Sequence, residues 1–254
     1  MIAICQQPNY FPTLGYFEQC ARAEKIVFLD SVQWIKQGQQ HRTKILPHLE
    51  QSGESHGNDF QWLTLPVQSK EHRSKTIGEI QLSKQNYWNE RHWKTLQAIY
   101  GSRPFFKKQF EPIFRPWFEK AVEYQTLSEA SIGSVLVCMD ALELRSEILL
   151  SSRLSESGTK TERLISLCKS VNADIYYSGL ASASYLNGQA FREANIQLLW
   201  QRWKTPNYEQ GRKEFKSHLS ILDAFANVPL SEIKGWLEIK PWGPFGSLQN
   251  ATEL

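Results

Sequence analysis

The sequence lacks the features that would assign it to a membrane, secreted or metal-binding class. Its four cysteines lie far apart and form no CxxC pair, so their spacing suits neither a disulfide framework nor a zinc site. No apolar run approaches the roughly 18 residues of a membrane-spanning helix, and the N-terminus does not resemble a signal peptide. We therefore expect a cytoplasmic protein with reduced thiols, no metal and no membrane insertion.

An excess of charge of one sign is also missing. The chain carries 29 basic and 26 acidic residues, a formal net charge of +3, which is too balanced for a dedicated nucleic-acid-binding protein. The GxGxxG, P-loop and HExxH motifs do not occur. The candidate functional residues are therefore polar side chains scattered along the chain.

Aromatic residues are plentiful. They make up 12% of the 254 residues, with nine tryptophans, which indicates a large core and favours a pocket for a ring-bearing or sugar-like ligand. A chain of this length can bury its own core. We predict one domain over residues 1–235 and a C-terminal tail over residues 236–254.

The order of apolar and amphipathic segments predicts an α/β fold. Predicted strands at 2–5 and 25–30 enclose a predicted helix at 16–24, and further strands are predicted at 174–179 and 196–203. This βαβ rhythm is typical of a parallel-rich sheet flanked by helices, Rossmann-like or nucleotidylyltransferase-like in topology. Ligands of such sheets bind beyond the carboxyl ends of the strands.

Two segments interrupt that rhythm. Residues 31–82 are predicted to form an insertion, a polar loop over 31–60 and a small β-hairpin whose strands are 60–67 and 77–82. Residues 87–124 are predicted to be helical. The predicted breaks lie at three prolines, Pro104, Pro112 and Pro116.

The stretch "QPNYFPTLGYF" at 7–17 lies between the first strand and the first helix. Gln7 and Asn9 can hydrogen-bond a ligand, Tyr10 and Tyr16 offer rings and hydroxyls, and Gly15 permits close backbone approach beside a helix N-terminus. One interpretation is a cradle for a phosphate or carboxylate. The other is a turn fixed by its two prolines with the aromatic rings packed inward.

The segment after the second strand combines both signs of charge. Lys36 and Arg42 suit an anionic partner, and His41 could act as a general base near neutral pH. Asp30 and Gln33 lie in the same segment. The alternative is a solvated loop in which Asp30 caps or pairs locally.

Further candidate ligand contacts lie near the ends of later elements. Tyr177, Ser178 and Gly179 close a predicted strand, and Tyr208 and Gln210 follow the last one. Helical spacing puts three more polar side chains on one face, Ser220, Asp223 and Asn227. A capped helix with a polar edge explains the last three equally well.

Five ordered blocks resemble the WbqC-like family: the stretch at 7–17, "D-VQWIKQG--HR-KI" from 30, "WLTLPV" from 62, "YYSGLASASYL" from 176, and "P-YEQ" followed by "LSILDAFAN". The family occurs in bacterial O-antigen (lipopolysaccharide) and other glycan gene clusters, and amino-acid (glycine) transferases acting on sugars have been proposed in it. The resemblance implies a role in surface-glycan or related small-molecule biosynthesis. His41 departs from the family, which usually has Asn there.

The first loop also resembles the strand-to-helix loop of nucleotidylyltransferases and class I aminoacyl-tRNA synthetases. Those enzymes meet the triphosphate with two histidines, and none occurs between residues 1 and 40. This absence argues against ATP-dependent adenylylation by that chemistry.

Two functional hypotheses follow. The first is an acyl or aminoacyl transferase acting on a sugar nucleotide or aminosugar, with an activated acyl or aminoacyl donor such as charged tRNA and with Asp30, Asp223 or His41 accepting the proton. The second is a non-catalytic sugar-nucleotide-binding or scaffold subunit of a glycan assembly complex. Both expect Gln7, Asp30, Arg42 and Tyr177 to meet at one concave rim.

Overall fold

The protein is organised by seven strands and eight helices in residues 1–47, 59–68, 74–83 and 87–237, which are the residues that this computed structural model describes. The strands are β1 (Ile2–Gln6), β2 (Lys25–Phe28), β3 (Arg42–Ile45), β4 (Gln61–Thr64), β5 (Glu147–Leu150), β6 (Ile175–Ser178) and β7 (Gln197–Trp200). The helices are α1 (Leu14–Arg22), α2 (Trp88–Tyr100), α3 (Glu111–Lys120), α4 (Leu127–Ala141), α5 (Thr161–Ser170), α6 (Gly188–Glu193), α7 (Ile221–Asn227) and α8 (Leu230–Leu237).

Five of the strands form one parallel sheet. Their order is β5-β2-β1-β6-β7, and Ile4 of β1 lies opposite Ile26 of β2 with both side chains fully buried. Burial on both faces is typical of parallel sheets that helices cover. The predicted α/β fold with a parallel sheet flanked by helices is thus confirmed.

The strand order creates one reversal. From β1 the chain moves outward through β2 to β5, then returns to the other side of β1 and continues outward from β6 to β7. The carboxyl ends of β1 and β6 therefore border a crevice, the switch point at which sheets of this kind bind ligands.

The hairpin differs from the predicted one. Residues 61–64 pair antiparallel with β3 rather than with 77–82, and Lys44 lies opposite Trp62. Residues 77–79 form a 3-10 turn, because Thr76 and Glu79 make a reciprocal capping box that begins a helical turn. Only the isolated bridge between Val67 and Leu82 remains of the predicted pairing.

The helical segment continues through two of the three prolines. A π-helical turn at Phe106–Phe110 leads into α3, which has Pro112 in its first turn and Pro116 inside. Proline is tolerated in the first turn, where its missing N–H has no helical partner. The predicted breaks at Pro112 and Pro116 were therefore wrong, whereas α2 does end before Pro104. Of the predicted tail, residues 236 and 237 belong to α8 and residues 238–254 lie outside the described residues.

An aromatic core holds the loop between β1 and α1. Tyr10 and Phe11 are fully buried, and the Phe11 ring packs edge-on against Phe114 and Trp117 of α3. The backbone of Phe11 is anchored as well, since its N–H donates to Ser134 Oγ at 2.9 Å. The two aromatic rings of this loop thus point into the protein, whereas Gln7, Asn9 and Thr13 remain partly exposed.

Candidate functional site

A cleft of about 1060 Å³ opens at the carboxyl ends of β1, β6 and β7. After β1 it is lined by Gln7 and Asn9, and at the end of β6 by Ser178, Gly179 and the turn at 180–182. The segment that follows β7 supplies further lining residues, among them Gln201, Trp203 and Lys204. The cleft therefore occupies the switch point that the strand order creates.

A chain of side-chain hydrogen bonds lies at the floor of the cleft. Gln201 Nε2 donates to Glu18 Oε2 and to the Gly15 carbonyl, both at 2.7 Å. Gln19 Nε2 donates to Gln201 Oε1 at 2.8 Å, and Gln6 Nε2 donates to Gln19 Oε1 at 2.6 Å. Residues from β1, α1 and the end of β7 are thereby joined.

Two glycines allow close packing at the floor of the cleft. A side chain at Gly15 would place its Cβ 2.9 Å from Trp203 Cδ1, so the indole lies directly against this backbone. A Cβ at Gly179 would lie 3.2 Å from Gln19 Nε2. Glycine at both positions lets backbone, indole and amide pack within van der Waals contact.

The cleft is electropositive in its lining. None of the described residues that line it is an aspartate or glutamate, whereas the exposed Lys204 and His218 both line it. Helix α1 also begins here, and its N-cap Thr13 makes no side-chain capping bond. The first N–H groups of a helix have no helical partner and carry partial positive charge. An anionic group that also carries hydroxyls would suit this lining.

The segment that carries His218 is tied to the first loop. Ser220 Oγ donates to the Phe11 carbonyl at 2.8 Å, and Ile221 N donates to the Pro12 carbonyl at 2.8 Å. His218 itself has a φ of 60°, in the left-handed region that non-glycine residues seldom adopt. These bonds hold the imidazole beside the cleft despite that backbone cost.

Six of the residues predicted to bind substrate line the cleft. They are Gln7, Asn9, Gly15, Tyr16, Ser178 and Gly179. All of them follow β1 or β6 or belong to the start of α1, as the prediction from strand ends required.

Asp30 lies elsewhere, at the junction of β2 and β5. Its Oδ1 accepts from Ser151 Oγ at 3.0 Å and from Ser152 N at 2.9 Å, and its Oδ2 accepts from Ser152 Oγ at 2.6 Å. The carboxylate is buried and is not among the cleft-lining residues. The carboxylate thus joins two strand ends away from the cleft lining, and proton transfer by Asp30 stays a prediction.

Asp223 is brought together with the other candidates from the C-terminal part of the chain. Its Oδ2 accepts from Tyr208 Oη and from Gln210 Nε2, both at 2.8 Å, and Asn227 Nδ2 donates to its carbonyl at 2.8 Å. Ser220 caps α7. Asp223 has no exposed surface, and burial raises its pKa from 3.8 to about 6. None of these five lines the cleft, and together they fasten the 204–220 segment to α7.

The predicted cationic cluster lies at the hairpin, away from the cleft. The Arg42 guanidinium stacks 4.1 Å above the Trp62 ring and donates to the Gln37 carbonyl at 2.6 Å. His41 is buried edge-on against Trp34, and desolvation lowers its pKa to about 4. A base with that pKa is neutral but weak at physiological pH.

Gln33 and Lys36, the two remaining candidates from the segment after the second strand, also lie outside the cleft lining. Gln33 forms an isolated bridge with Thr76, and Lys36 is exposed.

Two predicted tyrosines are directed into the interior. Tyr10 Oη bonds His92 Nδ1 at 2.9 Å, and His92 Nε2 bonds the Thr64 carbonyl at 3.0 Å. Because a carbonyl only accepts, Nε2 carries the proton and Tyr10 donates to Nδ1. Tyr177 donates to Glu18, at 2.9 Å from Oε2, beneath the cleft floor. Of the four residues expected at one rim, only Gln7 lines the cleft.

Cys5 lines the cleft, but its chemistry is that of a buried thiol. The side chain is 7% exposed, and the neighbouring Cys168 and burial raise its pKa well above the usual value. A thiol held protonated is a poor nucleophile.

Sequence reasoning missed several cleft residues: Gln6, Gln19, Gln201, Trp203, Lys204 and His218. The last strand was predicted to run to residue 203, whereas β7 ends at Trp200. Had the polar run that begins at Gln201 been taken as the strand end, the rule that ligands bind at carboxyl ends would have included it.

Fold and cleft define an α/β protein with a parallel sheet flanked by helices and an open cleft at the switch point of that sheet. The chain belongs to the WbqC-like protein family, which matches residues 7–234. It is similar to a Mycobacterium tuberculosis protein named "Uncharacterized protein Rv1507c", with 26% identity over 223 residues, covering 87% of this chain and 91% of that protein. No solved structure matches it significantly.

Two features of the described residues bear on partners. Within them, no helix has the length and apolar character needed to cross a bilayer. The same part of the chain contains no group of three or more His, Cys, Asp or Glu side chains placed to hold a metal ion.

Proposed function

We propose that the protein is a transferase of surface-glycan (O-antigen) or related small-molecule biosynthesis that binds an activated aminosugar, such as a sugar nucleotide, in the switch-point cleft. The observation that carries this proposal is the cleft lining, which combines amide and hydroxyl side chains with Lys204 and His218 and contains no described carboxylate. Amides and hydroxyls hydrogen-bond sugar hydroxyls, and the Lys204 ammonium and the α1 N-terminus favour phosphate.

The proposed reaction is acyl or aminoacyl transfer. The amino or hydroxyl group of the sugar attacks the carbonyl carbon of an activated donor, a new N–C or O–C bond forms, and the bond to the leaving group breaks. The proton released by the attacking group passes to the leaving group through a base. His218 is the imidazole among the described cleft residues, and we assign this proton transfer to it. A charged tRNA is one source of the donor.

The alternative is a non-catalytic sugar-nucleotide-binding or scaffold subunit. Its support is that Asp30, Asp223 and His41, the expected proton acceptors, all lie outside the cleft lining. Tryptophan faces bind sugar rings without chemistry, and Trp203 lines the cleft.

Calorimetric titration with UDP-glucosamine and UDP tests the binding. Lys204→Gln should weaken both about tenfold, whereas Lys213→Gln, an exposed lysine of the same segment outside the cleft lining, should leave affinity unchanged. If neither probe binds the wild type, the proposed site is wrong.

Mass spectrometry of the sugar nucleotide tests the transfer. Incubation with acyl-CoA donors or charged tRNA should yield a sugar of increased mass, and His218→Gln should lose product while retaining UDP-glucosamine affinity. Binding without product from any donor would favour the scaffold subunit.

A further inference from the structure

The hydrogen bonds at the cleft floor have a direction that is set by chemistry. Glu18 is 4% exposed, is paired with Arg22 and accepts from Tyr177. A carboxylate and a backbone carbonyl can only accept. Since Gln201 contacts both Glu18 and the Gly15 carbonyl through one amide atom, that atom must be the NH2 nitrogen.

The direction passes along the chain of amides. With its NH2 group toward Glu18, Gln201 presents Oε1 to Gln19, which must therefore donate through Nε2. Gln19 in turn presents Oε1 to Gln6, which must also donate through Nε2. Reversing any one amide would bring two acceptors or two donors together at hydrogen-bond distance.

Gln6 is the last member of this chain and lines the cleft. One N–H of its Nε2 is donated to Gln19 Oε1, and its own Oε1 has no hydrogen-bond partner among the described residues. Glu18, which does not line the cleft, thereby determines that this point of the floor offers an acceptor.

We propose that Gln6 is a specificity-determining residue, held by the chain from Glu18 so that its Oε1 receives an N–H or O–H donor of the ligand and disfavours carboxylates. This inference rests on the proposed function, because it assumes that the sugar nucleotide occupies the cleft. It assigns the amino or hydroxyl substituent of the sugar to the Gln6 end and leaves the phosphates to Lys204 and the N-terminus of α1.

The direction of this chain of hydrogen bonds can be tested without ligand by making the same substitution, glutamine to glutamate, at positions 6 and 7. Gln6→Glu replaces the donating NH2 with an acceptor that faces Gln19 Oε1. Gln7→Glu is the matched control, because Gln7 meets Gln40, whose Oε1 has no partner within the described residues and whose NH2 can always be offered to position 7. Both variants add one negative charge at the cleft.

At about pH 8, the thermal unfolding midpoint of Gln6→Glu should lie about 3 °C or more below that of Gln7→Glu. The difference between the two midpoints should narrow toward about pH 4, because a protonated carboxyl at position 6 can donate to Gln19. Equal midpoints for the two variants at about pH 8 would overturn the inferred direction.

Selectivity is tested with UDP-glucosamine, UDP-glucose, UDP-glucuronic acid and UDP. The electropositive lining alone would favour the added carboxylate of UDP-glucuronic acid. We expect the opposite, with UDP-glucuronic acid binding about tenfold more weakly than UDP-glucosamine or UDP-glucose, and Gln6→Leu abolishing that preference.

The outcomes separate the two proposals. If UDP-glucuronic acid binds as tightly as UDP-glucosamine, or if Gln6→Leu keeps the preference, the specificity role of Gln6 is wrong and the proposed function stands. If none of the probes, UDP included, binds the wild type, the proposed function fails and the selectivity proposal fails with it. The stability comparison then still decides the direction of the amide chain.

Discussion

The buried carboxylate of Asp223 makes a quantitative prediction about stability and pH. Burial raises its pKa from 3.8 to about 6 in the folded protein, because the hydrogen bonds from Tyr208 and Gln210 only partly offset desolvation. The folded state therefore holds this proton more tightly than the unfolded state. The stabilisation is fully present below pH 3.8 and is lost as the pH rises through about 6.

The size of the effect follows from the two pKa values. At about 1.4 kcal/mol per pKa unit, the rise corresponds to about 3 kcal/mol of stability lost between pH 4 and pH 7. Asp223→Asn removes the titration and keeps an oxygen that can accept from Tyr208 and Gln210. The difference in unfolding free energy, variant minus wild type, should therefore increase by about 3 kcal/mol over that range.

Only the difference between the two proteins is diagnostic. Desolvation lowers the pKa values of His41 and His92 from 6.5 to about 4, which destabilises the fold as the pH falls, in the opposite sense to Asp223. Both histidines are present in both proteins, so their contribution cancels. Urea unfolding of each protein in steps between about pH 4 and pH 7.5 gives the two curves, and a difference that stays constant would refute the reasoning.

Three further substitutions separate packing from binding. Tyr10→Phe should cost about 1–3 kcal/mol in urea unfolding, because it leaves the buried His92 Nδ1 without a donor; a cost near zero would contradict that bond. Gly15→Ala should weaken the affinity for UDP-glucosamine about tenfold in calorimetric titration, because the added Cβ displaces Trp203. Gly235→Ala, whose Cβ would meet nothing within 4 Å, should leave that affinity unchanged. Asp30→Ala should lower the unfolding midpoint, since it leaves Ser152 N–H and both serine hydroxyls without their acceptor, while leaving UDP-glucosamine affinity intact; lost affinity would return Asp30 to the site.

The parallel sheet could be predicted because each strand is a short apolar run bounded by a helix or turn signal. The hairpin partner could not. The segment "IGEIQL" alternates as a strand does, but the local bond between Thr76 and Glu79 competes successfully and forms a 3-10 turn. The true partner of β4 is "RTKI", whose charged outer face gives a weaker strand signal. Pairing between strands that are far apart in the sequence is decided by tertiary contacts, which the periodicity of a single segment does not report.

The site was predictable only where topology alone decides it. Residues at the carboxyl ends of β1 and β6 must lie at the switch point, and Gln7, Asn9, Ser178 and Gly179 do line the cleft. Asp30 also follows a strand, but its position is decided by two serines more than 100 residues away, with which it bonds. A carboxylate in a sequence carries no sign of whether its partner will be a substrate or the protein itself.

The first loop shows why family motifs need a structure before they can be used as a list of site residues. Within "QPNYFPTLGYF", Tyr10 and Phe11 are fully buried, whereas Gln7, Asn9 and Gly15 line the cleft. The two sets depend on each other, because the loop backbone can border an open cleft only while its aromatic rings are anchored in the core. Tyr10→Phe and Gly15→Ala perturb the two sets separately, and they should therefore affect different measurements, unfolding for the first and ligand affinity for the second.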